Sequence, residues 1–136
     1  SIPLLNVDDN LLGQVFYNLA RNSVEAIDAS KKGNKLILRT RIMYETFLNK
    51  SYYKSACLIE ISDNGPGIPN ELIDSIFIPL VSTKEITSGL GLAIARGIIN
   101  QHKGEIDCVS NSKGTTFSVI LPIEDNSRFL KEELNA

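Results

Sequence analysis

Apolar and polar positions change period several times along the chain. From Asp8 to about Ser30, apolar residues recur at Leu12, Val15, Phe16, Leu19, Ala26 and Ile27, with the small Ser23 in the same stripe. That spacing predicts a long amphipathic helix, with Asp8 or Asp9 as N-cap and Gly33 as a stop beyond its end. The next runs, "KLILRTRIMYETFL" and "SYYKSACLIEIS", are rich in β-branched and aromatic residues and joined at "NKS", which predicts an antiparallel hairpin. Pro69 to Ile76 is a short helix candidate, and "IFIPLVSTKEITS" holds no period and reads as a loop. From Leu90 to Gln101 the helical spacing returns through Leu92, Ile94, Ala95, Ile98 and Ile99. Two short strands, "EIDCVS" and "TTFSVILP", flank a Ser/Lys/Gly turn before a charged tail. The order is an α+β pattern, with helices covering one face of a mixed, mostly antiparallel sheet.

Composition narrows the function classes. The chain has 136 residues, 43% of them hydrophobic, enough for one domain with one core. Its net charge of -2 is spread along the chain, so an electrostatic grip on nucleic acid or a membrane surface is not expected. Cys57, Cys108 and the single His102 have no metal-ligand spacing and read as buried thiols and a helix-end residue. No apolar run approaches the ~18 residues of a membrane span. The chain starts at Ser1 without a methionine, and it is expected to be a single domain, residues 1–136, of a longer protein.

Three places could carry chemistry. In "ACLIEISD", strand alternation puts Cys57, Ile59, Ile61 and Asp63 on one face, so the carboxylate points toward the core. Burying it unpaired costs several kcal/mol (about that order), which calls for a donor from protein or ligand; "DNG" is equally a strong Asx-turn signal. In "TSGLGLAIARG", Gly89 and Gly91 open a helix, where backbone N–H groups and the helix dipole favour an anion such as phosphate; a plain loop end is the alternative. Lys84, in the loop before it, can neutralise phosphate or simply be a solvated surface lysine. On the first helix, Asn18 and Asn22 lie one turn apart at the edge of the apolar stripe, near Gln14 and Glu25. Paired amide oxygens there suit Mg²⁺, which takes few protein ligands and completes its shell with water and phosphate.

Taken in order, "NLARNSVEA", "DNGPGIP", "IFIPLVSTK", "SGLGLAIARGIINQHKGEI" and "GTTFSVILP" resemble the catalytic ATP-binding domain of bacterial sensor histidine kinases. That superfamily also holds gyrase, the 90 kDa heat-shock protein and MutL. The hairpin and "PLVSTKE" are most similar to nitrogen-regulation sensor kinases of the NtrB type. The resemblance implies a two-layer Bergerat-type α/β sandwich with three helices on one face, and ATP with Mg²⁺ as cofactors. It implies that Asp63 accepts from the adenine amine, with Gly65, Gly67 and Ile68 around the base and Thr115, or failing that Thr116, hydrogen-bonded near Asp63. Asn22 would ligate Mg²⁺, assisted by Asn18. Ser88, Gly89, Leu90 and Gly91 would wrap the phosphates under a mobile lid from Pro79 to Thr87 that carries Lys84.

Two departures from the family pattern bear on mechanism. Ile86 and Thr87 stand where a more glycine-rich loop is usual, which stiffens the lid. Asn18 stands where the gyrase-like ATPases carry a water-activating glutamate, and an amide cannot act as a general base. The resemblance therefore implies phosphoryl transfer to a histidine on a separate dimerisation domain, in a cytoplasmic, homodimeric kinase partnered by an NtrC-like response regulator and a PII signal protein. His102 is not in a phosphoacceptor setting, so the domain alone, expected to be a monomer, should bind ATP without autophosphorylating. A hydrolytic ATPase and a nucleotide-blind interaction module are the competing readings.

Overall fold

In the computed structural model, residues 8–78 and 86–123 are described, with side chains in the second stretch from residue 91 onward. Helix α1 (Asp9–Ser30) starts as the sequence predicts. Asp8 is its N-cap, and its carboxylate accepts the Leu11 N–H at 3.1 Å. Its C-terminus closes at Lys31 in the left-handed region (φ 59°), whose N–H returns to the Ile27 carbonyl. Leu12, Val15, Leu19 and Ser23 form its buried stripe.

Strands β1 (Leu36–Leu48) and β2 (Ser51–Asp63) make the hairpin. Its loop is the pair Asn49–Lys50, both at positive φ (50° and 69°), the type I′ geometry that matches strand twist; Ser51, read from sequence as part of the joint, already belongs to β2. Asn49 ties this tip to the start of β3, its N–H donating to Glu105 Oε1 and its side chain to the Gly104 carbonyl. After Asp63 comes α2 (Asn70–Ile73), shorter than the predicted span because turns take over beyond it. Helix α3 (Ile86–Gln101) begins four residues before the predicted Leu90. Replacing flexible glycine by Ile86 and Thr87 lowers the cost of helix there, so the first turn forms where a loop was expected. Strands β3 (Glu105–Asn111) and β4 (Gly114–Ile123) complete a sheet of order β1-β2-β4-β3, antiparallel at each described pairing.

Helices α1 and α3 cover the inner face of the sheet. The core joins Leu12, Val15 and Leu19 with Leu92, Ala95, Ile98 and Ile99, over Cys57, Ile59, Ile61, Phe117, Val119 and Leu121; Ile73, Ile76 and Phe77 pack against it from α2 and the turn after it. Each large aliphatic contributes about 1.5–3 kcal/mol by leaving water. The register sets the rows of this face: Ile59, Val119 and Ile106, then Ile61, Phe117 and Cys108, then Asp63, Thr115 and Ser110. The greasy rows thus end in a polar one. No described helix is long and apolar enough to cross a membrane.

Candidate functional site

The polar row stands at the end of β2, where the chain leaves the sheet. Asp63 is half-buried, and its Oδ1 accepts the Gly65 N–H at 2.9 Å and the Thr115 N–H at 3.3 Å. The first bond is an Asx turn, so that reading of "DNG" holds for one carboxylate oxygen. Oδ2 takes no hydrogen bond among the described residues, and no cation is paired with the group there. A carboxylate with one oxygen fixed by backbone keeps the other available to a further donor.

Thr115 is buried (6% exposed), as its parity with Phe117 predicts. Its backbone meets Asp63, while its hydroxyl goes to Ser110 Oγ at 2.8 Å. Thr116, the fallback, points to the opposite face, where its hydroxyl pairs with Ser62 at 2.8 Å. Ser110, which sequence reasoning missed, also accepts the Ile68 N–H at 2.7 Å and so pins the glycine turn onto β3. Its parity with Cys108 and its place across the β3–β4 turn from Thr115 were the available signals.

The two glycines of the turn are required by the protein's own packing, whatever room they also leave for a base. Gly67 has φ 80°, and a Cβ there would overlap the Asn111 carbonyl oxygen. A Cβ at Gly65 would come within 3.0 Å of both Asp63 Oδ1 and Ile27 Cγ1. Asn64 braces the same turn from behind, its side-chain oxygen accepting the Asn34 and Lys35 N–H groups at 2.8 Å each. A groove of about 500 Å³ runs along the turn, lined by Pro66, Gly67, Ile68, Pro69, Asn70, Asn111 and Ser112, none of them charged.

Across the fold, Asn18 and Asn22 are both half-buried on the same side of α1. Asn18 Nδ2 donates to the Gly91 carbonyl at 3.2 Å, which leaves its oxygen as the free acceptor. Asn22 makes no hydrogen bond to a described residue, and Gln14 is exposed. Glu25 pairs with Arg21 at 2.7 Å on the exposed flank; that bond and the carboxylate's charge raise the guanidinium pKa. Gly91 lies against Asn18, where a Cβ would sit 3.6 Å from Cγ, an ordinary contact. Ser88, Gly89 and Leu90 are in the first turns of α3, and Ile86 and Thr87, expected in the lid, are helical too. Lys84 and the rest of the lid, 79–85, lie outside the described residues.

No group of three His, Cys, Asp or Glu among the described residues could hold a metal ion. Burial pushes the Cys108 thiol up to about 12, with Asp107 and Asp63 adding to it, and raises Cys57 as well, so neither is a thiolate ligand. Any divalent cation in the described part would rest on the Asn18 and Asn22 oxygens and on ligand phosphates, a hard-oxygen set that fits Mg²⁺. His102 is a clamp: the Asp8 N–H donates to Nε2 (3.1 Å), which fixes the proton on Nδ1, donating to the Ile98 carbonyl (2.8 Å).

Comparison with known proteins accounts for this arrangement. The family model for the histidine kinase-, DNA gyrase B- and HSP90-like ATPases matches residues 7–125. The sensory histidine kinase/phosphatase NtrB of Escherichia coli O157:H7 is 44% identical over 123 residues, 90% of this chain and 35% of that protein. NtrB of Rhizobium leguminosarum bv. phaseoli is 34% identical over 90% of this chain and 33% of its own. The chain thus spans about a third of the length of the curated relatives it matches. Among solved structures, the nucleotide-free catalytic domain of the histidine kinase ThkA superposes with a TM-score of 0.63 at 30% identity, covering 87% of this chain and 70% of that one. The Acinetobacter baumannii histidine kinase AdeS, at 23% identity and a TM-score of 0.61 over 87% of this chain and 48% of its own, shares the fold. The chain belongs to the histidine kinase-, DNA gyrase B- and HSP90-like ATPase family, as a histidine kinase-type ATP-binding domain similar to that of NtrB.

Proposed function

We propose that this domain binds ATP with Mg²⁺ and presents the γ-phosphate to a histidine on the dimerisation domain of the same sensor kinase, for relay to an aspartate of an NtrC-like response regulator. The observation that carries the reading is Asp63, whose second carboxylate oxygen stands free at the polar end of an otherwise apolar face. The adenine amine is the donor it lacks, with Gly65, Gly67, Ile68 and Thr115 around the base. The carbonyl oxygens of Asn22 and Asn18 would hold Mg²⁺, which when bound neutralises phosphate charge and orients the transferring group. Ser88, Gly89, Leu90 and Gly91 direct the N-terminal end of α3 at the same phosphates, with Lys84 reaching them from the lid.

Asn18 favours transfer over hydrolysis. Its nitrogen donates to Gly91 and its oxygen has no proton-accepting power comparable to a carboxylate, so Asn18 cannot activate water as a glutamate there would. The acceptor must then come from another domain, because His102 spends both ring nitrogens on the backbone. In this reading the whole protein is a cytoplasmic homodimer in which a PII signal protein acts on the kinase, and the domain by itself is a monomer.

Thermal unfolding with and without Mg²⁺ and ATP tests the binding step. At 100 times the dissociation constant a ligand adds ~2.7 kcal/mol, and Asp63→Asn should lose that gain. An unshifted wild type overturns the reading and favours an interaction module, and an equal shift in the variant overturns the role given to Asp63. Mixing the domain with a dimerisation domain that carries the acceptor histidine should yield labelled phosphohistidine from γ-labelled ATP; free phosphate alone would indicate an ATPase.

A further inference from the structure

The β1–β2 hairpin takes no part in the proposed reaction, yet its Tyr44 (72% exposed) and Phe47 (70%) are the most exposed aromatic side chains among the described residues. Phe47 meets Tyr52 across the strands, edge to face at 5.5 Å. In β2, alternation puts Tyr52 and Lys54 on the side of Leu58 and Glu60, opposite the core-facing Cys57, Ile59 and Ile61; the partners of Leu58 and Glu60 in β1 are Arg41 and Arg39. The ring pair therefore shares the outer face of the hairpin with three cations, Arg39, Arg41 and Lys54. None of these charged groups makes an ion pair or hydrogen bond with a described residue. The tip is held in place, with Leu48 buried and Asn49 tied to Gly104 and Glu105. Charge is segregated along the chain in the same sense. Residues 35–54 hold five basic side chains and one acidic, a net of +4 in a chain of net -2, so the remainder carries -6.

We propose that the outer face of this hairpin docks an acidic surface of a partner protein, with an apolar side chain of the partner seated on the Phe47–Tyr52 pair and its carboxylates meeting Arg39, Arg41 and Lys54. Aromatic residues and arginine are the types enriched at the centres of protein interfaces, and rings left in water on a fixed arm are anchors without a pocket. Charge complementarity selects the occupant. An acidic patch on a protein meets the arm alone, whereas nucleic acid or an anionic membrane extends past it to the -6 remainder and is repelled there. Because the arm is already ordered, docking does not spend the entropy of fixing it.

The test titrates the isotope-labelled 136-residue chain with a synthetic peptide of alternating glutamate and leucine and follows the backbone amide resonances. Shifts should be confined to the hairpin and shrink with added salt, and the dissociation constant should rise about tenfold in Arg41→Glu/Lys54→Glu and again in Phe47→Ala. These side chains are exposed, so the melting temperatures should stay near that of wild type; should the double variant fail to fold, Lys54→Glu alone must still weaken binding. Absence of shifts, shifts centred outside the hairpin, unchanged affinity in the variants, or equal binding of a lysine–leucine peptide overturns the proposal. Tighter binding of a single-stranded oligonucleotide or of phosphatidylglycerol vesicles overturns it in favour of a polyanion site. Dimerisation of the free chain that is lost in Phe47→Ala overturns it in favour of a second copy as the occupant.

Discussion

The two ends of the candidate site are built in different ways. The Asp63 end is made by the sheet: three neighbouring strands supply Asp63, Thr115 and Ser110 in register, and the turn that follows is pinned by Ser110 and braced by Asn64. The Asn22 end is made by two helices, and the described contact that joins them there is a single 3.2 Å bond from Asn18 to Gly91. A site drawn from strands is set once the sheet forms, because a strand cannot slip without turning its whole inner face outward. The start of a helix has no pairing register to fix it, which makes this end the more adjustable of the two. On the proposed reading, the rigid end suits recognition of a flat base, and the adjustable end suits a phosphate chain.

The glycines give the largest test of this contrast. Gly67→Ala forces a Cβ onto the Asn111 carbonyl at positive φ and should cost about 2–4 kcal/mol, measured by urea unfolding. Gly91→Ala places its Cβ in ordinary contact with Asn18 inside α3 and should stabilise the free domain by up to ~1 kcal/mol. Equal losses at both positions would erase the distinction. Next comes alkaline pH. Cys108 lies one row below Asp63, and its thiol is raised from 9.0 to about 12 by burial, so the unfolded chain sheds this proton first. Below pH 9 the group has no effect on the slope; as pH rises from about 9 toward 12 stability falls. Cys108→Ala should flatten that part of the curve, and a wild-type slope in the variant would refute burial as the cause.

Parity made much of the rigid end legible. Alternation from Cys57 to Asp63 turned the carboxylate inward, and the same count from Phe117 chose Thr115 over Thr116. Ser110 escaped because one serine at a strand end has no periodic signature, and its meaning depends on a partner across a turn. Gly67 was legible as a turn glycine, but the β3 carbonyl that a Cβ there would strike is remote in sequence and was not. The adjustable end was harder. Asn18 and Asn22 stood out by their spacing, but the bond from Asn18 to Gly91 spans 73 residues, and the extra turn of α3 at Ile86 follows from propensities that the glycine pattern of its neighbours obscured.

Two smaller substitutions separate the helix pair from the site it carries. His102 clamps the far ends of α1 and α3, so His102→Ala should cost about 1 kcal/mol in urea unfolding and leave nucleotide affinity unchanged. A loss of affinity would mean that the helices move as one lever rather than adjusting at the Asn18 end. Ser23 follows Asn22 on α1, is 1% exposed, and its hydroxyl has no hydrogen-bond partner among the described residues. An unmatched buried hydroxyl is a cost, so Ser23→Ala should raise stability, by ~1 kcal/mol at most. The same measurement at saturating nucleotide sharpens the contrast. If the gain persists in the complex, α1 brings only its asparagines to the site; if it turns into a loss, ligand binding supplies the hydroxyl with a partner and α1 rearranges around it.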